Sequence, residues 1–442
     1  MSPADGRPHV IVVGGGFAGL GCVRKLARHG DVQVTLLDRN NYHQFQPLLY
    51  QVATSQLGTS SIAVSLRKVF HKHRNVNIKL AEVASLDPAT CTVTATDGES
   101  WTGDAVVLAA GSVPNFFGTP GADSNSFPLY SLNDAQRLRT RILSVFEAAD
   151  RDPSLVDRGA LNFVVVGGGA TGVETAGALA DMIHWTMTVE YRDLAVKAAR
   201  VQLVDVGHQL LGPFSERAHD YAAKVLTRKG VELHLDTKVT EVTRDGVTLG
   251  DGSRIATRCV VWGGGIAAPP VAAAAGVPQG RGGRIDVQPE LTVKGFAHVY
   301  AIGDVANIPG PDGAPLPQLG SVALQSGAWA AKNLLAGFAG RPPQPFRYKD
   351  KGIMAMIGRG SAIAAMGPRR REVHGPLAFA AWLGVHAALM TGVRARLHAL
   401  ADWAGANVSR MRGAQVMDRA DAAAIDWSEE RSAEPTTAAT SG

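Results

Sequence analysis

His9-Val-Ile-Val-Val-Gly-Gly-Gly-Phe-Ala-Gly19 is the stretch from which the rest of the chain is read. The apolar run Val10 to Val13 has the pattern of a strand buried on both faces. It leads into Gly14-x-Gly16-x-x-Gly19, residues 20–29 follow with a helical pattern, and Val32 to Leu37 reads as a second strand closed by Asp38. The three glycines have separate tasks. The first makes a tight strand-to-helix turn, the second lets backbone approach a pyrophosphate, and the third lets the helix pack closely on the strand. The helix N-terminus then offers free N–H groups and a partial positive charge to phosphates. Asp38, 24 residues beyond Gly14, is placed to accept hydrogen bonds from a ribose diol.

The pattern occurs twice. Asn162-Phe-Val-Val-Val-Gly-Gly-Gly-Ala-Thr-Gly172 supplies Gly167, Gly169 and Gly172, and Val201 to Val204 forms the next strand, closed by Asp205. Asp205 lies 38 residues beyond Gly167, so the intervening helix is expected to be extended or to carry an insertion around Ile183 to Tyr191. One such glycine pattern is weak evidence. Two copies, each with a strand before, a helix after and an acid closing the next strand, specify two dinucleotide sites. Two dinucleotides in one protein imply electron traffic between them. The expected fold is α/β, with two Rossmann-like dinucleotide-binding domains.

Composition agrees with that reading. The 442 residues are 45% hydrophobic and 19% charged, with a mean hydropathy near zero, which excludes wholesale disorder and a polytopic membrane bundle and suits two or three domains. Three scattered cysteines, Cys22, Cys91 and Cys259, make no disulfide framework, and without a CxxC pair a redox-active dithiol is excluded. No zinc, iron–sulfur, haem or hydrolase nucleophile pattern is present. His43, His208 and His386 have no ligand-spaced partners and read as packing or surface histidines. The short apolar run at Val10 is no signal peptide, so a cytoplasmic setting is expected.

The formal net charge of +5 is unevenly spread. Residues 341–412 hold twelve Lys/Arg against three acids, whereas 413–442 hold two against six. No nucleic-acid motif accompanies the basic segment, so no nucleic-acid partner is expected. Within it, the 21 residues between Glu372 and Arg394 carry no formal charge and are flanked by Arg369-Arg-Arg371 and by Arg394, Arg396, Arg410 and Arg412. His374, Gly375, Pro376, Gly384, His386 and Gly392 make that run a poor spanning helix. An interfacial helix with its apolar face in lipid and its arginines on anionic headgroups is expected instead.

Further segments carry a family resemblance. Asp104-Ala-Val-Val-Leu-Ala-Ala-Gly111 and Val299-Tyr-Ala-Ile-Gly-Asp304 resemble two conserved strands of the two-dinucleotide-binding flavoproteins. Asn41-Tyr-His-Gln-Phe-Gln-Pro-Leu-Leu-Tyr-Gln-Val-Ala-Thr54, Val260-Val-Trp-Gly-Gly-Gly265, Pro345-Phe-Arg-Tyr-Lys-Asp-Lys-Gly352 with Ile357-Gly-Arg359, Trp382-Leu-Gly-Val-His386 and Arg394-Ala-Arg-Leu397 are similar to segments of the type II NADH dehydrogenases, single-subunit NADH:quinone oxidoreductases. The resemblance covers residue 9 to about 405.

It implies non-covalent FAD held by Gly14, Gly16, Gly19, Asp38, Arg39, Gln46, Val83, Ala110, Gly111, Asp304 and Ala323. It places NADH, as substrate, on Gly167, Gly169, Gly172, Asp205 and Gly265, with Glu174 between nicotinamide and flavin. Asp205, followed by Val206-Gly-His208 rather than by cations, favours NADH over NADPH. The implied reaction is ping-pong transfer from NADH through FAD to a quinone, without proton pumping, on the cytoplasmic face of the cell membrane. A homodimer is compatible with it. The expected organisation is an FAD-binding domain in two parts, 1–130 and 286–340, an NADH-binding domain at 131–285, a membrane-associating region at 341–412, and an acidic, flexible tail at 413–442.

One departure bears on the acceptor. The family's A-Q-x-A-x-Q sequence, associated with quinone, is here Gly320-Ser-Val-Ala-Leu-Gln325. Gln325 retains the second glutamine and is the expected quinone contact. The competing readings are a soluble NADH-dependent flavin reductase of a small redox protein, which would lack the apolar basic C-terminal segment, and a flavin-bearing NADH sensor or scaffold, whose flavin every quinone would oxidise slowly.

Overall fold

The computed structural model describes residues 6–367, 370–408, 412, 414–417 and 425. Strand β1 (His9–Val13), buried throughout, turns through the first glycine cluster into helix α1 (Phe17–Leu26). The strand β2 (Gln33–Asp38) then lies parallel to β1. Helix α2 (Leu49–Ala53) is short and wholly buried. Strands β3 (Val76–Leu80) and β4 (Ala105–Leu108) extend the sheet in parallel on either side of the β1–β2 pair.

The second unit opens with α3 (Leu132–Arg151), which starts on a capping box. Ser131 Oγ accepts the Asp134 amide at 3.1 Å, and Asp134 returns a carboxylate oxygen to the Ser131 amide at 2.8 Å, so two orphan donors of the first turn are satisfied reciprocally. The strands β5 (Asn162–Val166), β6 (Arg200–Val204), β7 (Val231–His234) and β8 (Cys259–Trp262) form a parallel sheet in the order β8-β5-β6-β7, with Phe127–Pro128 on the β8 edge. Helix α4 (Ala170–Met182) follows the second glycine cluster, and α5 (Glu216–Arg228) joins β6 to β7. The long interval before Asp205 is explained by α4 itself, which runs on through a π-helical turn at Ile183–Met187 into Thr188–Glu190.

The chain then returns to the first sheet. Strand β9 (Phe296–Ala301) pairs in parallel with β4, and Thr292–Val293 closes that edge antiparallel. Helix α6 (Gly320–Phe338) packs backbone to backbone on α1. A Cβ on Gly327 would lie 2.0 Å from Ala18 O, and one on Gly21 would lie 2.6 Å from Leu324 O, so both glycines are required for the approach.

The C-terminal region is built onto this core. An antiparallel sheet, β10 (Ile353–Met356), β11 (Ala362–Met366) and β12 (Arg371–His374), leads to α7 (Pro376–Leu389) and α8 (Val393–Val408). The uncharged run therefore differs from the single interfacial helix expected. Its start is the end of β12, and Gly375 and Gly392, both at positive φ, bracket α7. One side of the helix pair belongs to the core, since Ala378 and Trp382 are fully buried and Trp403 is 2% exposed. The flanking cations also divide. Arg396 caps α7 through the Met390 and Ala388 carbonyls, Arg370 pairs with Asp350, and Arg412 turns inward onto the Thr54 and Ala178 carbonyls. Arg412 is thus unavailable to headgroups. Arg369, Arg410 and most of the acidic tail lie outside the described residues.

Candidate active site

Both glycine clusters show the division of labour that their spacing requires. In the first, a Cβ on Gly14 would lie 2.3 Å from Ala109 O and one on Gly19 would lie 1.8 Å from Gly14 O. In the second, the corresponding distances are 2.5 Å from Gly167 to Gly263 O and 1.8 Å from Gly172 to Gly167 O. Gly16 and Gly169 instead face open space, with nothing within 4 Å of such an atom. Gly14 and Gly167 therefore hold each turn against the end of the neighbouring strand, Gly19 and Gly172 hold the helix against the turn, and the remaining two leave room for a ligand's backbone-bound end.

The closing acids repeat each other as well. Asp38 accepts the Gly15 and Asn40 amides, both at 2.6 Å. Asp205 accepts the Gly168 amide at 2.5 Å and the Gly207 amide at 2.6 Å. Each carboxylate braces its glycine turn through the middle glycine. Burial pushes Asp38 above the usual carboxylate range, against the pull of its two amide donors.

A cleft of about 750 Å³ opens along the first unit. Gly14, Gly16, Asp38, Arg39, Gln46, Val83, Ala110, Gly111, Asp304 and Ala323 all line it. From the second unit only one end reaches the same cleft, carrying Thr171, Glu174, Trp262, Gly263, Gly265 and Ile266, continued by Pro269, Pro270 and Val271. Asp205, Gly167, Gly169 and Gly172 do not line it, and Gly19 sits behind the turn. The cleft's length, its glycine cradle and the acid at its end fit a dinucleotide such as FAD.

Tyr130, Ser112, Gln44 and Gln318, which sequence reasoning missed, organise its floor around Gln46 and Asp304. Tyr130 OH accepts the Ser112 amide at 2.9 Å and lies 2.6 Å from Ser112 Oγ, which in turn donates to Asp304 Oδ2 at 3.4 Å. Gln44 and Gln46 both donate to Tyr130 O, at 2.9 and 3.3 Å, and Gln318 donates to Asp304 O at 3.1 Å. Burial raises the Asp304 pKa, opposed by Ser112 and by the Arg284 charge. His43 lies under the first turn, its Nδ1 3.0 Å from Gly15 O, and burial pushes its pKa down to about 4. It is a packing histidine, as expected.

Glu174 is 9% exposed and is the fifth residue of α4, just past its first turn. Its Oε1 accepts the Met356 amide at 3.0 Å. Burial pushes its pKa up to about 8, held back by the Met356 amide and the Trp382 indole. Tyr50, which also lines the cleft, donates its O–H to Met356 Sδ at 3.3 Å and accepts from Gln51 Nε2 at 3.0 Å. Gln51 Oε1 accepts the Trp403 indole N–H at 2.7 Å. The C-terminal region thus builds one wall of the site.

A pH dependence follows. Glu174 ordinarily titrates near 4.5 when unfolded, so between pH 4.5 and 8 the folded state binds the extra proton and stability falls as pH rises. The stability present below pH 4.5 is progressively lost up to about pH 8, by roughly 5 kcal/mol at most. Thermal melts of the wild type and Glu174→Gln from pH 5 to 9 should diverge, with the variant gaining most at the alkaline end. Parallel melting curves would show that Glu174 ionises as freely folded as unfolded.

At Gln325, the expected quinone contact, the structure shows a side-chain amide bonded to main chain. Its Nε2 donates to Lys349 O and its Oε1 accepts the Lys349 amide, both at 3.0 Å, and it does not line the cleft. Ser321, at the position of the family's first glutamine, lies 2.9 Å from Tyr348 OH. Both positions therefore pin the segment around Tyr348–Lys349 to α6.

Comparison with known proteins agrees with this geometry. A family model described as pyridine nucleotide-disulphide oxidoreductase matches residues 8–327. The chain is 36% identical over 92% of its length to the type II NADH:quinone oxidoreductase Ndh of Mycobacterium tuberculosis, covering 89% of that protein. It is 28% identical over 80% of its length to the type II NADH:quinone oxidoreductase of Staphylococcus aureus, again covering 89% of the relative. Among solved structures it is similar to NDH2 from Plasmodium falciparum in complex with NADH, with a TM-score of 0.85 at 18% identity over 93% of this chain and 100% of that one. The sulfide:quinone oxidoreductase of Aquifex aeolicus follows at a TM-score of 0.70 and 19% identity, over 88% and 92% of the two chains. At those identities the two structures support the fold.

Proposed function

The chain belongs to the type II NADH:quinone oxidoreductases of the pyridine nucleotide-disulphide oxidoreductase family, and from that membership we propose how its cleft carries the reaction. The enzyme is FAD-dependent, oxidises NADH and reduces a quinone. FAD, when bound, accepts hydride from NADH and passes two electrons on to the quinone.

The observation that carries the assignment of roles is the one-ended entry of the second unit into the first unit's cleft. NADH laid along the second glycine turn would place its adenosine ribose at Asp205 and its reactive ring beside Glu174 and Gly265. Gly14, Gly16 and Gly111 would give the flavin dinucleotide its close backbone approach, Asp38 would accept from its ribose, and Asp304, fixed by Ser112 and Gln318, would hold its polyol chain. Arg39, Gln46, Val83, Ala110 and Ala323 complete that wall. At neutral pH Glu174 holds its proton and presents a neutral carboxyl to the transfer region, where a carboxylate would repel electron-rich partners. Its position is set by the Met356 amide, and Gln325 serves by fixing the segment at Lys349.

The attachment we assign is peripheral, on the cytoplasmic face of the cell membrane. Leu377, Leu389, Val393 and Leu397 of α7 and α8 are between 56% and 76% exposed, with the Arg394 side of α8 beside them. No described helix is long and apolar enough to cross a membrane. An apolar face of this size with cations at its rim suits the lipid interface, where a quinone's apolar tail resides.

Anaerobic absorbance of the purified enzyme tests the reading. NADH should bleach the bound flavin within mixing time, and menaquinone or ubiquinone should restore it. In the same assay Asp205→Ala should raise the NADH needed for half-maximal bleaching about tenfold, through loss of a charged hydrogen-bond acceptor. Reoxidation by quinone should not change. Flavin that stays oxidised under NADH would refute the activity, and an unaltered Asp205→Ala variant would remove Asp205 from the nucleotide site.

A further inference from the structure

Phe117 lies just outside the cleft, 66% exposed, with φ at +52°. A lone exposed aromatic is ordinary, but a bulky residue at that φ is an outlier that persists only where its surroundings over-determine it. Here they do. The Phe117 amide donates to Asn115 Oδ1 at 2.9 Å, the Asn115 amide donates to Gly265 O at 3.0 Å, and Asn115 O accepts the Trp262 indole N–H at 2.8 Å. Val113–Pro114 pairs antiparallel with Ile266–Ala267, and the neighbouring Phe116 ring lies 5.7 Å from Trp262. The strap 113–117 is therefore stitched to the end of β8.

The Phe117 ring itself rests on Gly265. A Cβ at Gly265 would lie 3.0 and 3.2 Å from two ring carbons, and the glycine's φ of +149° disfavours any side chain. The ring thus occupies the space a side chain at 265 would take, above a residue that lines the cleft. Its backbone strain serves no core, since the ring is left mostly in water.

We propose that Phe117 is a specificity-determining residue that covers the nicotinamide end of the bound nucleotide at Gly265. The proposal rests on the NADH reading given above. The residues of the second unit that reach the first unit's cleft are Thr171 and Glu174 of α4 and the segment from Trp262 to Val271 that contains Gly265, so the hydride-bearing ring must lie at this end. An aromatic face held over it by a fixed strap excludes water and favours a planar heterocycle over the ribose-terminated nucleotide that lacks one.

The test uses the FAD-loaded enzyme and equilibrium binding of NAD⁺ and ADP-ribose, which differ by the nicotinamide. Phe117→Asn is the informative variant because asparagine tolerates the left-handed region. Its melting temperature should be unchanged or higher, its affinity for NAD⁺ should fall roughly three- to tenfold, and its affinity for ADP-ribose should be unchanged. Phe117→Trp should retain NAD⁺ affinity. Unaltered NAD⁺ binding in Phe117→Asn, or equal weakening of both nucleotides with a lowered melting temperature, would overturn the proposal in favour of a structural role for the strap. Failure of NADH to bleach wild-type flavin would overturn the nucleotide reading beneath it, and the two failures are read in separate assays.

Discussion

Gly172→Ala should give a protein that keeps its FAD and its fold yet reduces the flavin with NADH at least 100-fold more slowly. The added Cβ would stand 1.8 Å from Gly167 O and 2.9 Å from its carbonyl carbon. Both are backbone atoms of the turn itself, so no side chain can move aside. Helix α4 must lift from β5, and forced overpacking of that kind costs about 1–3 kcal/mol or more. The displacement falls on the first turn of α4, directly before Glu174 and its 3.0 Å bond to the Met356 amide. The first unit shares no atoms with the clash, so flavin content should survive. Gly19→Ala, with the same 1.8 Å approach to Gly14 O, should instead lose flavin. Flavin content and stopped-flow bleaching check both, and a Gly172→Ala rate within tenfold of wild type would mean that α4 has freedom the geometry denies it.

Deleting the chain from Gly375 onward should yield aggregated protein. Trp382 is fully buried, its ring 3.9 Å from His386 and 5.8 Å from Trp403, and each buried tryptophan removed costs about 3–5 kcal/mol. Two such losses approach the whole stability of an ordinary domain. A gentler change separates attachment from folding. Leu377→Glu, Leu389→Glu and Leu397→Glu together charge the exposed face while leaving the buried one untouched. That variant should melt like wild type and oxidise NADH with a soluble acceptor, but sediment with anionic phospholipid vesicles at least tenfold less at low salt. If it sediments like wild type, α7 and α8 are not the attachment.

The glycine clusters were legible because their demands are local. Backbone sterics permit few residues at Gly14, Gly19, Gly167 and Gly172, and the strand, helix and acid around each follow within one short stretch. The residues that the resemblance assigns to FAD, Gly19 apart, also gather on one cleft. The C-terminal run was only half legible. Residues 373–393 are apolar on every side, so periodicity does not distinguish Trp382, which faces the core, from Leu377, which faces out. Gln325 illustrates a different limit: a polar residue on a helix gives no sign that main chain 24 positions away will occupy both ends of its amide. Tyr130, Ser112 and Gln318 come from three separate segments and meet at Asp304 only in three dimensions. Phe117 sits in a loop where one more aromatic residue attracts no notice until its φ is known.

The seam from Trp403 through Gln51 and Tyr50 to Met356 makes α8 and the wall behind Glu174 one unit of local unfolding. That helix cannot melt and re-form while the wall stays intact. Any detergent or heat that loosens α8 therefore loosens the wall behind Glu174 with it. Loss of activity and melting of α8 should share a single transition.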